Sequence, residues 1–173
     1  MRALLGVLLA CGCCAAQVTL ERLRNGSWQE IPAATVVDSG EQIRFRFRAA
    51  GDGFLYVVNQ GSSGTRALLF PSLDAGRDNT LRAGADRLVP DGEHVSFRVS
   101  GPEGLDVLYF ISSPVALSDP DRRALTRPVK RPPVLLPRCD DGILRARGEC
   151  QDTQAGLRPP SAPNIIEFRL AHR

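Results

Sequence analysis

Ile43-Arg-Phe-Arg-Phe-Arg-Ala49 alternates strictly between apolar and basic residues. Successive side chains of a β-strand point to opposite faces, so this period of two predicts a strand with one apolar and one basic face. We expect the four apolar residues to face a core. The basic residues, Arg44, Arg46 and Arg48, are expected to lie in water.

Similar short runs, separated by turn residues, continue on both sides of this strand. Asn25-Gly26 is a dipeptide typical of tight hairpins, and residues 54–59 are rich in aromatic and β-branched side chains. Residues 105–112 are apolar almost throughout, as expected of a central strand. Residues 17–113 therefore predict an all-β domain, an antiparallel β-sandwich of about seven or eight strands.

The composition changes after residue 113. Nine of the 13 prolines lie within residues 114–163, so we expect residues 114–173 to form a Pro-rich C-terminal extension. One short helix is predicted over residues 118–125, with Ser118 or Asp119 as its cap. Residues 165–170 alternate again and predict a final strand carrying Phe168, which either returns to the sandwich edge or is offered to a partner.

Residues 1–16 are typical of a secretory signal peptide. Arg2 precedes an apolar run over residues 3–10, and small residues continue to Ala16. The run is too short to cross a bilayer, which takes about 20 apolar residues. Export followed by cleavage after Ala16 would release the mature protein into the periplasm or the exterior. Alternatively, Leu8-Leu9-Ala10-Cys11 resembles a lipobox, and lipidation at Cys11 would anchor the protein to the membrane.

Two cysteines lie far downstream of the signal region. Cys139 and Cys150 carry no flanking histidine, and no second cysteine pair follows them. In an oxidising compartment such a pair is expected to form a disulfide rather than a metal site.

The residue inventory disfavours an enzyme. The chain has only two histidines, His94 on the predicted solvent side of a strand and His172 next to the C-terminus. We therefore expect no catalytic, cofactor-binding or metal-binding residues. Oxygen-bearing side chains in one long segment are interpreted as loop formers rather than calcium ligands: Asp74, Asp78, Asn79 and Asp86. The formal net charge of +3 gives no electrostatic case for nucleic acid.

Candidate interaction residues remain on the predicted surface. The Arg44, Arg46 and Arg48 stripe could bind an anionic polymer or lipid head groups, or simply face negative neighbours across the sheet. Trp28 could stack on a sugar or pack at an edge. Phe168 could belong to a strand that adds to a partner's sheet.

A family resemblance appears in an ordered set of turns and strands. The chain resembles the bacterial family of domain of unknown function 4384 in these segments: Gly53-Phe-Leu-Tyr-Val-Val-Asn59, Leu69-Phe-Pro71, Asn79 with Leu81 and Gly84, Pro90, and Gly101-Pro-Glu-Gly-Leu-Asp106. The similarity spans residues 37–113. It implies a β-sandwich accessory domain of the kind that occurs alone behind a signal peptide or attached to protease-like or kinase-like modules. It implies no catalytic residues.

The sequence thus predicts an exported, non-catalytic β-sandwich that mediates protein-protein interaction with an envelope partner. The alternative is a module that binds a glycan or a small ligand.

Overall fold

The computed structural model describes residues 15–92, 95–128, 156–162 and 164–173. These residues form eleven strands and one short helix. The elements are β1 (Gln17–Arg24), β2 (Ser27–Ile31), β3 (Gln42–Arg48), β4 (Gly53–Gln60), β5 (Arg66–Phe70), β6 (Thr80–Leu81), β7 (Asp86–Val89), β8 (Phe97–Arg98), β9 (Gly104–Ser113), α1 (Asp119–Leu125), β10 (Gly156–Ala162) and β11 (Ile165–His172).

The strands form two antiparallel sheets. The first has the order β2-β1-β3-β7, with β8 also pairing with β3. The second has the order β10-β11-β9-β4-β5, with β6 also pairing with β4. The predicted all-β, sandwich-like fold is therefore confirmed. No helix in the described part of the chain is long and apolar enough to cross a membrane.

The core lies between the two sheets, where β3 contributes the face that its alternation predicts. Ile43, Phe45, Phe47 and Ala49 are all at most 2% exposed. Phe45 meets Phe110 of the second sheet edge to face, with ring centroids 5.3 Å apart. Burial of such large apolar rings from both sheets is the main force holding the layers together.

The hairpin between β1 and β2 forms where the sequence predicts it. Leu23 pairs with Trp28 and Arg24 with Ser27, which leaves Asn25-Gly26 as a two-residue loop. Asn25 has φ of 51° and Gly26 of 77°. Two positive φ values are what a type I′ turn requires, and asparagine followed by glycine adopts them at the lowest cost.

The final strand is longer than predicted and lies inside the second sheet. All eight residues of β11 pair with β9, and its other side pairs with β10. Phe168 is 0% exposed. Its assignment to an interaction surface is therefore wrong, because the apolar face of β11 is needed to complete the core. Of the two expectations for this segment, the return to the sandwich is the one observed.

The predictions of a short helix and of a strand over residues 94–99 have different outcomes. The predicted helix is present as α1, with Ser118 as its N-cap accepting a hydrogen bond from the Asp121 amide. The strand expected over residues 94–99 is reduced to Phe97–Arg98. His94 itself lies outside the described residues.

Candidate functional site

A cavity of about 200 Å³ opens at one end of the sandwich, between the two sheets. Its apolar lining includes Ile43 and Phe45 of the first sheet and Leu108 and Leu170 of the second. Three polar side chains of the second sheet also line it, Asn59, Asp106 and His172. We refer to these three residues as the polar cluster.

The strand register explains why the polar cluster faces inward. Asn59 of β4 pairs with Leu108 of β9, and Asp106 of β9 pairs with Leu170 of β11. Because alternate residues share a face, Asn59, Asp106 and His172 lie on the same face as the buried Leu108 and Leu170. The polar cluster therefore occupies positions where the pattern of the core would otherwise continue with apolar side chains.

Asp106 is the centre of the polar cluster. The Asn59 amide Nδ2 donates a hydrogen bond to Asp106 Oδ2 at 3.0 Å. His172 Nε2 lies 3.4 Å from Asp106 Oδ1. Burial alone would raise the pKa of Asp106, but the contacts with His172 and Asn59 and the backbone N–H of Ser62 outweigh it and lower that pKa. Asp106 is therefore a carboxylate at neutral pH.

The polar cluster is not fully satisfied. Asn59 Oδ1 and both ring nitrogens of His172, Nδ1 and Nε2, are buried and have no hydrogen-bond partner among the described residues. The carboxylate holds the donor side of the Asn59 amide, so the unpaired atom of Asn59 is an acceptor. A buried polar atom without a partner costs about 1–3 kcal/mol. Three such atoms next to one cavity are an observation that points to an occupant.

Backbone hydrogen bonds between the C-terminal residues and Val37, which precedes β3, hold His172 in position. The Val37 amide donates to the Ala171 carbonyl at 3.0 Å, and the Arg173 amide donates to the Val37 carbonyl at 3.1 Å. Arg173 Nε also lies 2.6 Å from Asp38 Oδ1. These bonds hold both neighbours of His172 and leave its side chain only 3% exposed.

The arrangement supplies acceptors and apolar walls rather than an activated nucleophile. A histidine–carboxylate pair activates a hydroxyl or thiol only when that group lies within hydrogen-bond reach of the ring. In the described part of the chain, neither ring nitrogen of His172 has a hydrogen-bond partner. Ser100 also lines the cavity, without such a bond to His172.

The predicted arginine stripe lies on the outer face of the first sheet, where carboxylates neutralise it. Arg44 Nε donates to Glu21 Oε2 at 2.5 Å and Arg46 Nε donates to Glu21 Oε1 at 2.8 Å. Asp86 lies 3.3 Å from Arg48 and 3.7 Å from Arg46. The expectation that all three arginines lie in water is wrong for Arg44, which is 8% exposed because it pairs with the buried Glu21.

Trp28 takes part in the same outer-face assembly. The guanidinium of Arg44 lies over the Trp28 ring, 4.2 Å from its centroid. This cation–π contact covers one face of the Trp28 ring, so a sugar could stack only on the other. The structure thus brings Trp28, Arg44, Arg46 and Arg48 together on one face, whereas Phe168 lies in the core.

Several sequence-based candidates lie outside the described residues. They are Cys11, Cys139, Cys150 and His94. Among the residues that the structure does describe, no group of three or more His, Cys, Asp or Glu side chains could hold a metal ion.

The polar cluster was missed in the sequence, although a signal for it exists. In β11 the alternation of residues 166, 168 and 170 continues to His172, and in β9 that of residues 110 and 108 continues to Asp106. In β4, residues 55 and 57 lead in the same way to Asn59. A polar residue at the end of each apolar alternation marks an inward-facing polar position.

The comparisons with known proteins bear on the middle of the chain. Residues 36–116 match the family model described as "Domain of unknown function (DUF4384)". No curated protein and no solved structure matches the chain significantly. The match covers β3 to β9, and with them Asn59 and Asp106, whereas His172 lies beyond it. Residues 36–116 are therefore a DUF4384 domain, which confirms the family resemblance of the sequence.

Proposed function

We propose that this protein is a non-catalytic binding module whose ligand site is the cavity at the end of the sandwich. The observation that carries the proposal is the polar cluster, whose buried unpaired atoms lie beside the apolar walls of one cavity. Ligand sites are typically concave and mostly apolar, with a few polar groups that fix orientation. Asn59, Asp106 and His172 supply those groups.

A fragment screen followed by protein NMR tests this proposal. We expect bound fragments to shift amide resonances of residues around Asn59, Leu108 and Leu170. Leu69→Trp should fill the cavity and abolish those shifts, because Leu69 lines it. Leu68→Trp is the matched control, since Leu68 pairs with Val58 on the opposite face of the sheet from Asn59 and does not line the cavity. Fragments that bind the Leu69→Trp variant as well as the wild type would overturn the proposal.

A second candidate function is recognition of an envelope protein partner. Its support is β2, which pairs with β1 on one side and has no second neighbour in the part of the chain that the structure describes. An edge strand offers main-chain hydrogen bonds that a partner strand can complete. The partner-binding strand is then β2 rather than the terminal strand containing Phe168.

Site-specific crosslinking in the native envelope tests the second candidate. A photo-reactive residue in place of the exposed Gln29 should give one discrete protein adduct. The same residue in place of the exposed Ala124 of α1 is the control and should give none. Equal adduct patterns at both positions would contradict recognition through β2.

Export is part of both proposals and rests on residues 1–16. β1 begins at Gln17, so cleavage after Ala16 would leave every described strand complete. Lipidation at Cys11 would instead keep a short linker between the membrane and β1. The intact mass of the protein purified from the envelope distinguishes the two, because lipidation adds acyl chains to a residue that cleavage after Ala16 removes.

A further inference from the structure

We infer that the cavity selects a small, uncharged molecule with an apolar body and a hydroxyl or N–H group that donates a hydrogen bond to the polar cluster. The inference rests on the proposed binding function and adds the chemical class of the ligand. It follows from which atoms of the polar cluster are already bonded, which are not, and what charges surround them.

The polar cluster retains hydrogen-bonding capacity for a ligand. Asp106 already receives the Asn59 amide, the backbone N–H of Ser62 and the contact with His172. Because Nε2 of His172 faces this carboxylate, we assign the ring proton to Nε2, and Nδ1 is then an acceptor. Of the three atoms without a hydrogen-bond partner, Nε2 faces the Asp106 carboxylate, whereas Asn59 Oδ1 and His172 Nδ1 are acceptors that face no donor. A ligand must donate to satisfy them, and a group that only accepts leaves them unpaired.

The charged side chains around the cavity favour an uncharged ligand. The Asp106 carboxylate already accepts from Asn59 and from the backbone N–H of Ser62 and faces His172 Nε2, so it has little capacity left to bind an ammonium group. Arg98 also lines the cavity, and its guanidinium donates to the Gly40 carbonyl at 3.3 Å. A cationic ligand would be repelled by Arg98, and an anionic ligand by Asp106. An uncharged donor meets neither penalty.

The volume of the cavity limits the size of the ligand. The cavity holds about 200 Å³. An apolar protein cavity of roughly 150 Å³ is enough to bind benzene. A single six-membered ring with one polar substituent therefore fits, and its ring would contact Phe45, Leu108 and Leu170, which line the walls.

Phenol and anisole are suitable probes because they share a ring and an oxygen, but only phenol donates. We expect phenol to bind the wild-type protein about three- to tenfold more tightly than anisole, which corresponds to one net hydrogen bond. The affinities are measured by NMR titration of the amide resonances around Asn59 and Leu170. Equal affinities of the two probes would overturn the inference.

His172→Phe tests the origin of the selectivity. The substitution keeps a ring of similar size and removes one of the two acceptors, so the advantage of phenol should shrink while anisole binds as well as before. Leu73→Ala is the control, because Leu73 is 75% exposed and does not line the cavity. An advantage of phenol that is undiminished in the His172→Phe variant would show that His172 Nδ1 accepts no bond from the ligand and would contradict the inference.

The outcomes separate this inference from the proposed function. If neither phenol, anisole nor any screened fragment binds at the cavity, the proposed function itself fails. If both probes bind equally at the cavity, the binding function stands and the donor selectivity fails. The wild-type titration gives this answer even if the His172→Phe variant does not fold.

Discussion

Phe45 and Phe168 meet edge to face in the core, with ring centroids 5.4 Å apart and an angle of 75° between the rings. Phe45 belongs to the first sheet and Phe168 to the second, so one contact joins the strand that the sequence identifies most clearly to the last strand of the chain. Both residues are 0% exposed. The final strand is thus a structural part of the sandwich rather than a free arm.

Phe168→Ala should destabilise the protein by about 3–5 kcal/mol, because it removes a buried aromatic ring and leaves a cavity. Removal of residues 165–173 should unfold the domain, since β11 joins β9 to β10. Urea denaturation measures both effects. Leu157→Ala is the control, because Leu157 is 47% exposed and its loss should cost less than about 0.5 kcal/mol. A truncated protein that unfolds at the wild-type urea concentration would contradict this account of β11.

Glu21→Gln should cost about 3 kcal/mol at neutral pH, because it leaves the buried Arg44 without its counter-ion. The exposed Glu30 provides a control, and Glu30→Gln should change the free energy of unfolding by no more than about 0.5 kcal/mol. Chemical denaturation of the three proteins gives the comparison. A Glu21→Gln variant as stable as the control would show that the pairing contributes nothing.

The effect of Glu21 should also depend on pH. Burial raises the pKa of Glu21, but hydrogen bonds from Arg46 and Arg44 and their positive charges outweigh it, so the pKa is lower in the folded protein. A lowered pKa stabilises the fold above the ordinary pKa of the group, and this contribution is lost as pH falls through the lowered value. The stability difference between wild type and Glu21→Gln should therefore shrink in acid. A difference that grows in acid would contradict the sign.

Gly53→Ala should destabilise the start of β4. Gly53 has φ of 150°, a conformation that L side chains rarely adopt, and an added Cβ would collide with the backbone carbonyl of Ser113. Strain of this kind costs on the order of 1–3 kcal/mol before the collision is counted. Gly51→Ala is the matched control, because nothing lies within 4 Å of its added Cβ. Thermal denaturation should separate the two variants, and equal midpoints would contradict the argument.

Cys139 and Cys150 should resist alkylation in the exported protein until a reductant is added. An oxidising compartment favours their pairing, and closing a loop of this length stabilises the fold by about 3 kcal/mol in the chain-entropy model. Mass spectrometry after alkylation, with and without reductant, measures the free thiols. Two alkylated cysteines in the unreduced protein would rule out the disulfide.

Much of the fold was predictable because local patterns carry it. The alternation in β3, the Asn25-Gly26 turn and the apolar run of β9 each depend on neighbours in the chain, and each is found where predicted. The short helix α1 was likewise visible from Ser118 and the residues that follow it.

The candidate site was not predictable in the same way, because it joins residues far apart in the chain. Asn59, Asp106 and His172 lie on three different strands, and only the pairing of β4, β9 and β11 brings them to one face. The alternation of β11 marks His172 as an inward-facing position, but it does not indicate that Asn59 and Asp106 lie beside it. Likewise, Arg44 is indistinguishable from Arg46 and Arg48 by alternation, and only the buried Glu21 opposite it sets it apart.

The sequence by itself determined the strands, their faces and the tight turns, since hydrophobic period and turn chemistry act over a few residues. Only the tertiary structure decided which strands are neighbours and which charges are paired, because both depend on contacts between distant segments. It therefore also decided that β11 belongs inside a sheet, and that the three polar residues at the ends of apolar alternations meet beside one cavity.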